Sequence, residues 1–160
     1  MSWVAVARNI KAPPETVFQA VSNVANLPEV LPHITDLTFL SECQSGVGTR
    51  FRETRFMRGR EYETELEITE FVDQDHVRLV ADAGGTIWDS EFAVQPHRIG
   101  TRLVMKMEAK PYRLMSRIAN VIIQPVVQRG IEDDMDCIKR YCETIHPEYG
   151  ESKNELFENE

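Results

Sequence analysis

The chain has 160 residues, a formal net charge of −8, an ordinary share of apolar residues and plentiful charged ones. That length suits one domain with a real core, and the negative balance counts against nucleic acid or an anionic membrane as the main partner, since both reward a basic face. The first residues, Met1 to Ala7, are apolar, but Arg8 stops them far short of a signal-peptide core, and no later run is long enough to span a bilayer. Cys43, Cys137 and Cys142 form no CxxC and no ligand-like spacing with histidine, which fits reduced thiols. A soluble cytoplasmic protein is the expectation.

Trp3 to Ile10 reads as a strand, with Trp3, Ala5 and Ala7 on one face and Val4, Val6 and Arg8 on the other. Pro13-Pro14-Glu15 then starts a helix, because proline is tolerated in the first turn and glutamate suits the positive end. Val17, Phe18, Ala20 and Val21 give it a buried side. A second short helix holds Leu27, Val30 and Leu31, and Thr35 to Cys43 is a strand.

From Gly48 the chain becomes a train of strands whose register can be read. Arg58-Gly59 is a two-residue hairpin loop between Thr49–Met57 and Arg60–Val72. Pairing across it sets Arg55 against Tyr62, Glu53 against Thr64 and Phe51 against Leu66. It also sets Arg52 against Glu65 and Arg50 against Glu67, opposite charges that stabilise the pairing. The basic residues from Arg50 to Arg60 are therefore a paired surface. Gly84-Gly85 joins Val77, Leu79 and Ala81 to Trp88, Ser90 and Phe92. A further loop, His97 to Gly100, leads to Leu103, Met105 and Met107. Loops of even length keep the apolar residues on one side, as a one-residue slip would not. The result is an antiparallel meander with a concave apolar face.

Pro111 to Ile145 is the longest helical pattern, with Ile118, Val121, Ile122, Val127, Ile131, Met135, Ile138, Tyr141, Cys142 and Ile145 spaced by threes and fours. Pro125 inside it predicts a kink or break. Domain organisation is a single unit over 1–146 followed by an acidic, aperiodic and mobile tail over 147–160.

The order strand, two short helices, long meander and closing helix resembles the helix-grip fold of the START-like (SRPBCC) superfamily. That group holds polyketide cyclases, lipid-transfer START domains, Bet v 1-type allergens and coenzyme Q-binding proteins. The likeness is carried by Ala12-Pro13-Pro14-Glu15-Thr16-Val17-Phe18, Leu27-Pro28-Glu29 with Pro32, Gly48-Thr49-Arg50-Phe51, Gly100-Thr101-Arg102-Leu103 and Ile138-Lys139-Arg140-Tyr141. It implies an α+β fold, a curved antiparallel sheet of about seven strands around the long C-terminal helix, with two short helices after the first strand. It also implies a cavity between sheet and helix for a hydrophobic small molecule such as a lipid, quinone or polyketide.

The residues point the same way. Leu66, Trp88, Phe92, Met105 and Met107 are expected to line one side, together with Phe51, Met57, Ile68, Val77, Leu79 and Leu103. Ile118 and Ile122 form the lid with Val126 or Val127. Glu53, Arg55, Tyr62, Thr64 and Ser90 fall on the apolar face, where an unpaired charge is costly. Either Glu53 and Arg55 pair with each other, or Arg55 and Tyr62 present donors to a ligand.

Aromatic polyketide cyclases of this fold place a serine and an arginine on the strand matching Tyr62–Ile68, and a tryptophan before the Pro-Glu of the second helix. Leu66, Ile68 and Leu27 stand there, which weighs against cyclase chemistry. His33 sits near the expected mouth as a solvated helix-end residue or a gate, and Asp133-Asp134-Asp136 reads as a solvated acidic patch. No phosphate-binding glycine loop, metal-ligand spacing or nucleophile motif is present, so neither a cofactor nor a metal is expected. Three functions stay open: a binding or carrier protein, a cyclase/dehydratase-type enzyme using Arg55 and Tyr62, and an interaction module with an incidental cavity.

Overall fold

The computed structural model describes residues 2–147 and residue 149. The tail expected over 147–160 lies, apart from Pro147 and Tyr149, outside the described residues. Strand β1 (Ser2–Ile10) leads into α1 (Pro14–Ser22), a 3₁₀ turn at Val24–Asn26 and α2 (Leu27–Val30). Six strands follow: β2 (Ile34–Phe39), β3 (Arg50–Met57), β4 (Arg60–Val72), β5 (His76–Ala83), β6 (Thr86–His97) and β7 (Gly100–Pro111). Helix α3 (Leu114–Ile145) closes the chain.

All seven strands form one antiparallel curved sheet in the order β1-β7-β6-β5-β4-β3-β2. The predicted register holds. Arg55 pairs with Tyr62, Phe51 with Leu66 and Arg52 with Glu65, whose side chains meet at 2.7 Å. Leu79 pairs with Ser90, and Ser90 in turn with Met107. Positive φ at both Arg58 (53°) and Gly59 (77°) is the backbone that tight hairpins require. Shifts of register between Ile68 and Glu70 in β4, and between Ile34 and Asp36 in β2, bend their strands and add to the curl.

The concave face is closed by the helices. Helix α1 buries Val17, Phe18, Ala20 and Val21, and Phe18 meets Phe71 edge-on at 5.3 Å. From α3, Ile131, Met135, Ile138 and Cys142 reach the same core, at spacings of three and four. Of the kink or break that the sequence predicts at Pro125, the break does not occur: α3 runs on through the proline. Val121 and Pro125 both lie on the exposed side, so the carbonyl that proline leaves unpaired can be hydrated. One unbroken helix of 32 residues is about 48 Å long. Its phase is therefore fixed from end to end, and that decides what it turns toward the sheet.

Candidate functional site

Two arrangements lie under α3, one polar and one largely apolar. The first is an ion network. Inward alternation along β3 buries Phe51 and Glu53 and brings Arg55 beneath the helix, while Asp134, one residue before the core Met135, points down to meet it. Arg55 Nε donates to Glu53 Oε1 at 2.7 Å, and its Nη1 donates to Asp134 Oδ2 at 2.8 Å and Oδ1 at 3.1 Å. His33 Nε2 lies 2.7 Å from Asp134 Oδ1 and 3.4 Å from Arg55 Nη1. The shorter contact selects the tautomer: Nε2 carries the hydrogen and Asp134 accepts it, so the approach to Arg55 brings two donors together.

Burial opposes charge on Arg55, but the Asp134 and Glu53 carboxylates outweigh it and raise its pKa further above the ordinary guanidinium value. Burial likewise opposes ionisation of Asp134, yet the His33 hydrogen bond and the Arg55 charge hold its carboxyl below the usual range. The network thus ties β3, α3 and the residue before β2 together, with its charges paired. The bonded Arg55 donors go to protein carboxylates. Tyr62, its ladder partner, is 46% exposed at the hairpin end.

The second arrangement is a cleft of about 380 Å³, open on one side, between the β5–β6 hairpin and the first half of α3. Its lining is Ala83, Gly84, Thr86 and Trp88 from the sheet, with Met115, Ser116, Ala119, Asn120 and Ile123 from the helix. Ser116 Oγ donates to the Gly84 carbonyl at 2.7 Å, and Asn120 Nδ2 donates to Thr86 Oγ1 at 3.3 Å. These bonds latch the helix to the hairpin. The Trp88 indole is held by its own N–H, which donates to the Ala83 carbonyl at 3.3 Å, so the ring stands as a fixed wall. Gly85 permits the close approach: at φ 76°, a Cβ there would come within 2.5 Å of Ser116 Oγ and 2.7 Å of Arg113 Cδ. Behind Trp88, a gap of about 10 Å³ continues inward between Val4, Met107, Ala109, Gln124 and Val127, at the threshold for a single water.

Of the sheet residues marked for the site in the sequence, only Glu53, Arg55, Trp88 and Met107 fall in these places. Glu53 and Arg55 share the ion network. Trp88 borders the cleft, and both Trp88 and Met107 border the gap behind it. Ser90 and Met105 are buried, Leu66 and Phe92 pack against the core, and Thr64 is half-buried. Ile118 and Ile122, expected as the lid, face outward at 57% and 72% exposure. The side of the helix turned to the sheet carries Ser116, Asn120, Gln124 and Val127 instead, in phase with Ile131 and Met135. Asp134 also departs from expectation. Only its neighbours Asp133 and Asp136 lie on the exposed surface, where Asp136 accepts a 2.7 Å bond from Arg8 Nε.

Cys43 is an exposed free thiol outside both arrangements, whereas Cys137 is half-buried and Cys142 buried. Burial pushes the Cys142 thiol up to about 12 and raises Cys137 as well, so neither offers a thiolate near neutrality. Glu70, His76 and Glu91 offer ligand atoms within 4.8 Å of one another, but Arg78 Nη1 donates to Glu70 at 2.7 Å and Asp75 holds His76 at 2.6 Å. Ion pairing accounts for that cluster. Among the described residues no helix is long and apolar enough to cross a membrane.

No curated protein sequence matches the chain. Protein TTHA0849 from Thermus thermophilus is 20% identical, with a TM-score of 0.71 over 87% of this chain and 95% of that one. The di-domain ARO/CYC protein StfQ of the steffimycin biosynthetic pathway is 13% identical, with a TM-score of 0.76 over 91% of this chain but only 51% of its own. Ara h 8.0201, 12% identical, gives 0.71 over 89% and 98%. At such identities these likenesses establish the fold alone. The family model described as polyketide cyclase / dehydrase and lipid transport matches residues 1–143, nearly the whole chain, and the protein belongs to that family.

Proposed function

We infer that the protein binds and carries an apolar or amphipathic small molecule, of the size of a lipid chain, quinone or polyketide, in the cleft between Trp88 and the first half of α3. The observation behind this reading is a largely apolar cleft into which a few polar groups converge, the usual form of a ligand site. Trp88, Met115, Ala119 and Ile123 supply the walls. Thr86, Ser116 and Asn120 supply the polar end, and the second atom of the Asn120 amide has no partner among the described residues. That atom is the amide oxygen, and a hydroxyl on the ligand would donate to it.

Carriage is favoured over turnover by the chemistry of the lining. None of its residues has a titratable side chain, and general acid–base catalysis needs one within hydrogen-bond reach of the reacting atom. Arg55, the donor a cyclase reading requires, is engaged by Asp134 and Glu53. The family description, which includes lipid transport, agrees with a carrier.

Titration with a dansyl-labelled fatty acid tests the reading. Wild-type protein should shift and brighten the probe emission. Ala119→Trp, which fills the cleft from a solvent-exposed helix position, should weaken binding at least tenfold without lowering the melting temperature. Equal binding by that variant would remove the cleft as the site.

A further inference from the structure

The first half of α3 has an outer face as well as the inner one that lines the cleft. Leu114, Met115, Ile118, Val121, Ile122 and Val126 form a continuous stripe along it, at spacings of three and four, and their exposure runs from 43% for Val126 to 74% for Met115 and Val121. Isolated apolar residues on a surface are normal, but six on one helical face are an interaction surface.

The charge around this stripe is as distinctive as its hydrophobicity. The whole chain is acidic, yet no aspartate or glutamate occurs between Glu108 and Glu132. Lys110, Arg113, Arg117 and Arg129 all fall in that window. Lys110 is engaged by Asp89 and Glu108, but Arg113, Arg117 and Arg129 form no ion pair among the described residues. Arg113 and Arg117 flank the stripe at its start, and Arg129 ends it.

We propose that this face docks the protein on an anionic phospholipid bilayer, with the first half of α3 lying in the plane of the interface. An apolar helical stripe edged by arginines that carry no ion pair matches such a surface in both chemistry and sign. The net charge of the chain does not oppose it, because at physiological salt the acidic residues of distant faces are screened beyond about 8 Å. Self-association fits less well. Two copies meeting through the stripe would bring arginines against arginines, and this stretch contains no acidic residue to answer them.

The docking surface goes beyond the ligand reading and stands on different side chains, although Met115 belongs to both. It would set the mouth of the cleft at the level of the lipid head groups.

The test is co-sedimentation of the full chain with vesicles of phosphatidylcholine and phosphatidylserine at seven to three, and with vesicles of phosphatidylcholine alone, in 0.1 M salt. The protein should pellet with the anionic vesicles, much less with the neutral ones, and be released by 0.5 M salt. Each arginine near such a surface contributes about fivefold in affinity, so Arg117→Gln with Arg129→Gln should weaken binding by roughly 25-fold. Ile118→Glu with Ile122→Glu should abolish it, and an unchanged melting temperature will separate lost docking from lost folding. The proposal is overturned if the protein stays in the supernatant with anionic vesicles, or if the glutamate variant pellets as wild type does. It is equally overturned if sedimentation velocity finds a stable dimer that dissociates in the glutamate variant while neither form binds vesicles.

Discussion

Replacing Arg55 by methionine separates the two roles open to this residue. The substitution keeps the length of the side chain and removes its charge. It breaks the bonds to Glu53 at 2.7 Å and to Asp134 at 2.8 and 3.1 Å, and strands both carboxylates. Glu53 is 7% exposed and the Asp134 side chain 17%. Removing one partner of a buried ion pair costs about 3–5 kcal/mol. His33 stays on Asp134 and some solvent reaches the site, so the low end applies, about 3 kcal/mol. A domain of this size loses about 2–4 °C of melting temperature per kcal/mol, which gives a fall of about 6–12 °C. Calorimetry at pH 7 measures it directly. Acid should shrink the difference between the two proteins, because protonation removes the buried charge that the substitution leaves unpaired. An Arg55→Met protein that melts within 2 °C of wild type but no longer binds the dansyl fatty acid would refute the argument and make Arg55 a ligand donor.

Other substitutions and titrations give further expectations. Gly85→Ala places a Cβ against Ser116 and Arg113 at a φ of 76°, and should cost about 1–3 kcal/mol and weaken dansyl fatty acid binding, measured by urea denaturation and probe titration. Tyr62→Phe, at an exposed hairpin position, should change stability by less than about 0.5 kcal/mol in the same denaturation assay. Asp134 has a folded pKa below its ordinary 3.8, so its contribution to stability is fully present above that value and is lost as pH falls through the folded pKa. Asp134→Asn should therefore flatten the acid limb of the stability curve. The Asp75 hydrogen bond raises His76, whose favourable contribution is present below pH 6.5 and lost as pH rises through its folded pKa, which histidine NMR titration will locate above 6.5.

The sheet was legible in the sequence for a specific reason. Turns at Arg58-Gly59 and Gly84-Gly85 fix register, and the facing pair Arg52 and Glu65 excludes a one-residue slip. The inward face of α3 was harder. Two stripes compete in its first half, the very apolar one through Ile118 and Ile122 and the mixed one through Ser116, Asn120 and Val127. Apolarity alone selects the first. Phase selects the second, because in an unbroken helix it continues into Ile131, Met135 and Ile138, whereas the first runs on into Arg129, Asp133 and Asp136. A break at Pro125 would have uncoupled the two halves, so the expected break and the misplaced lid are one error. Asp134 was hidden for a related reason. Beside Asp133 and Asp136 it reads as one more solvated acid, and only the core position of Met135 reveals which of the three turns inward. Net charge also concealed local charge, since a balance of −8 says nothing of an acid-free window from residue 109 to residue 131.

Occupancy of the cleft is tested most directly by the two tryptophan indole N–H signals in an NMR titration with an unlabelled fatty acid. Trp88 lines the cleft, whereas Trp3 is 68% exposed on β1. A ligand seated against α3 should move the Trp88 signal, together with the Asn120 side-chain amide, and leave Trp3 in place. Saturating ligand that shifts Arg55 and Tyr62 while Trp88 and Asn120 stay fixed would contradict the account.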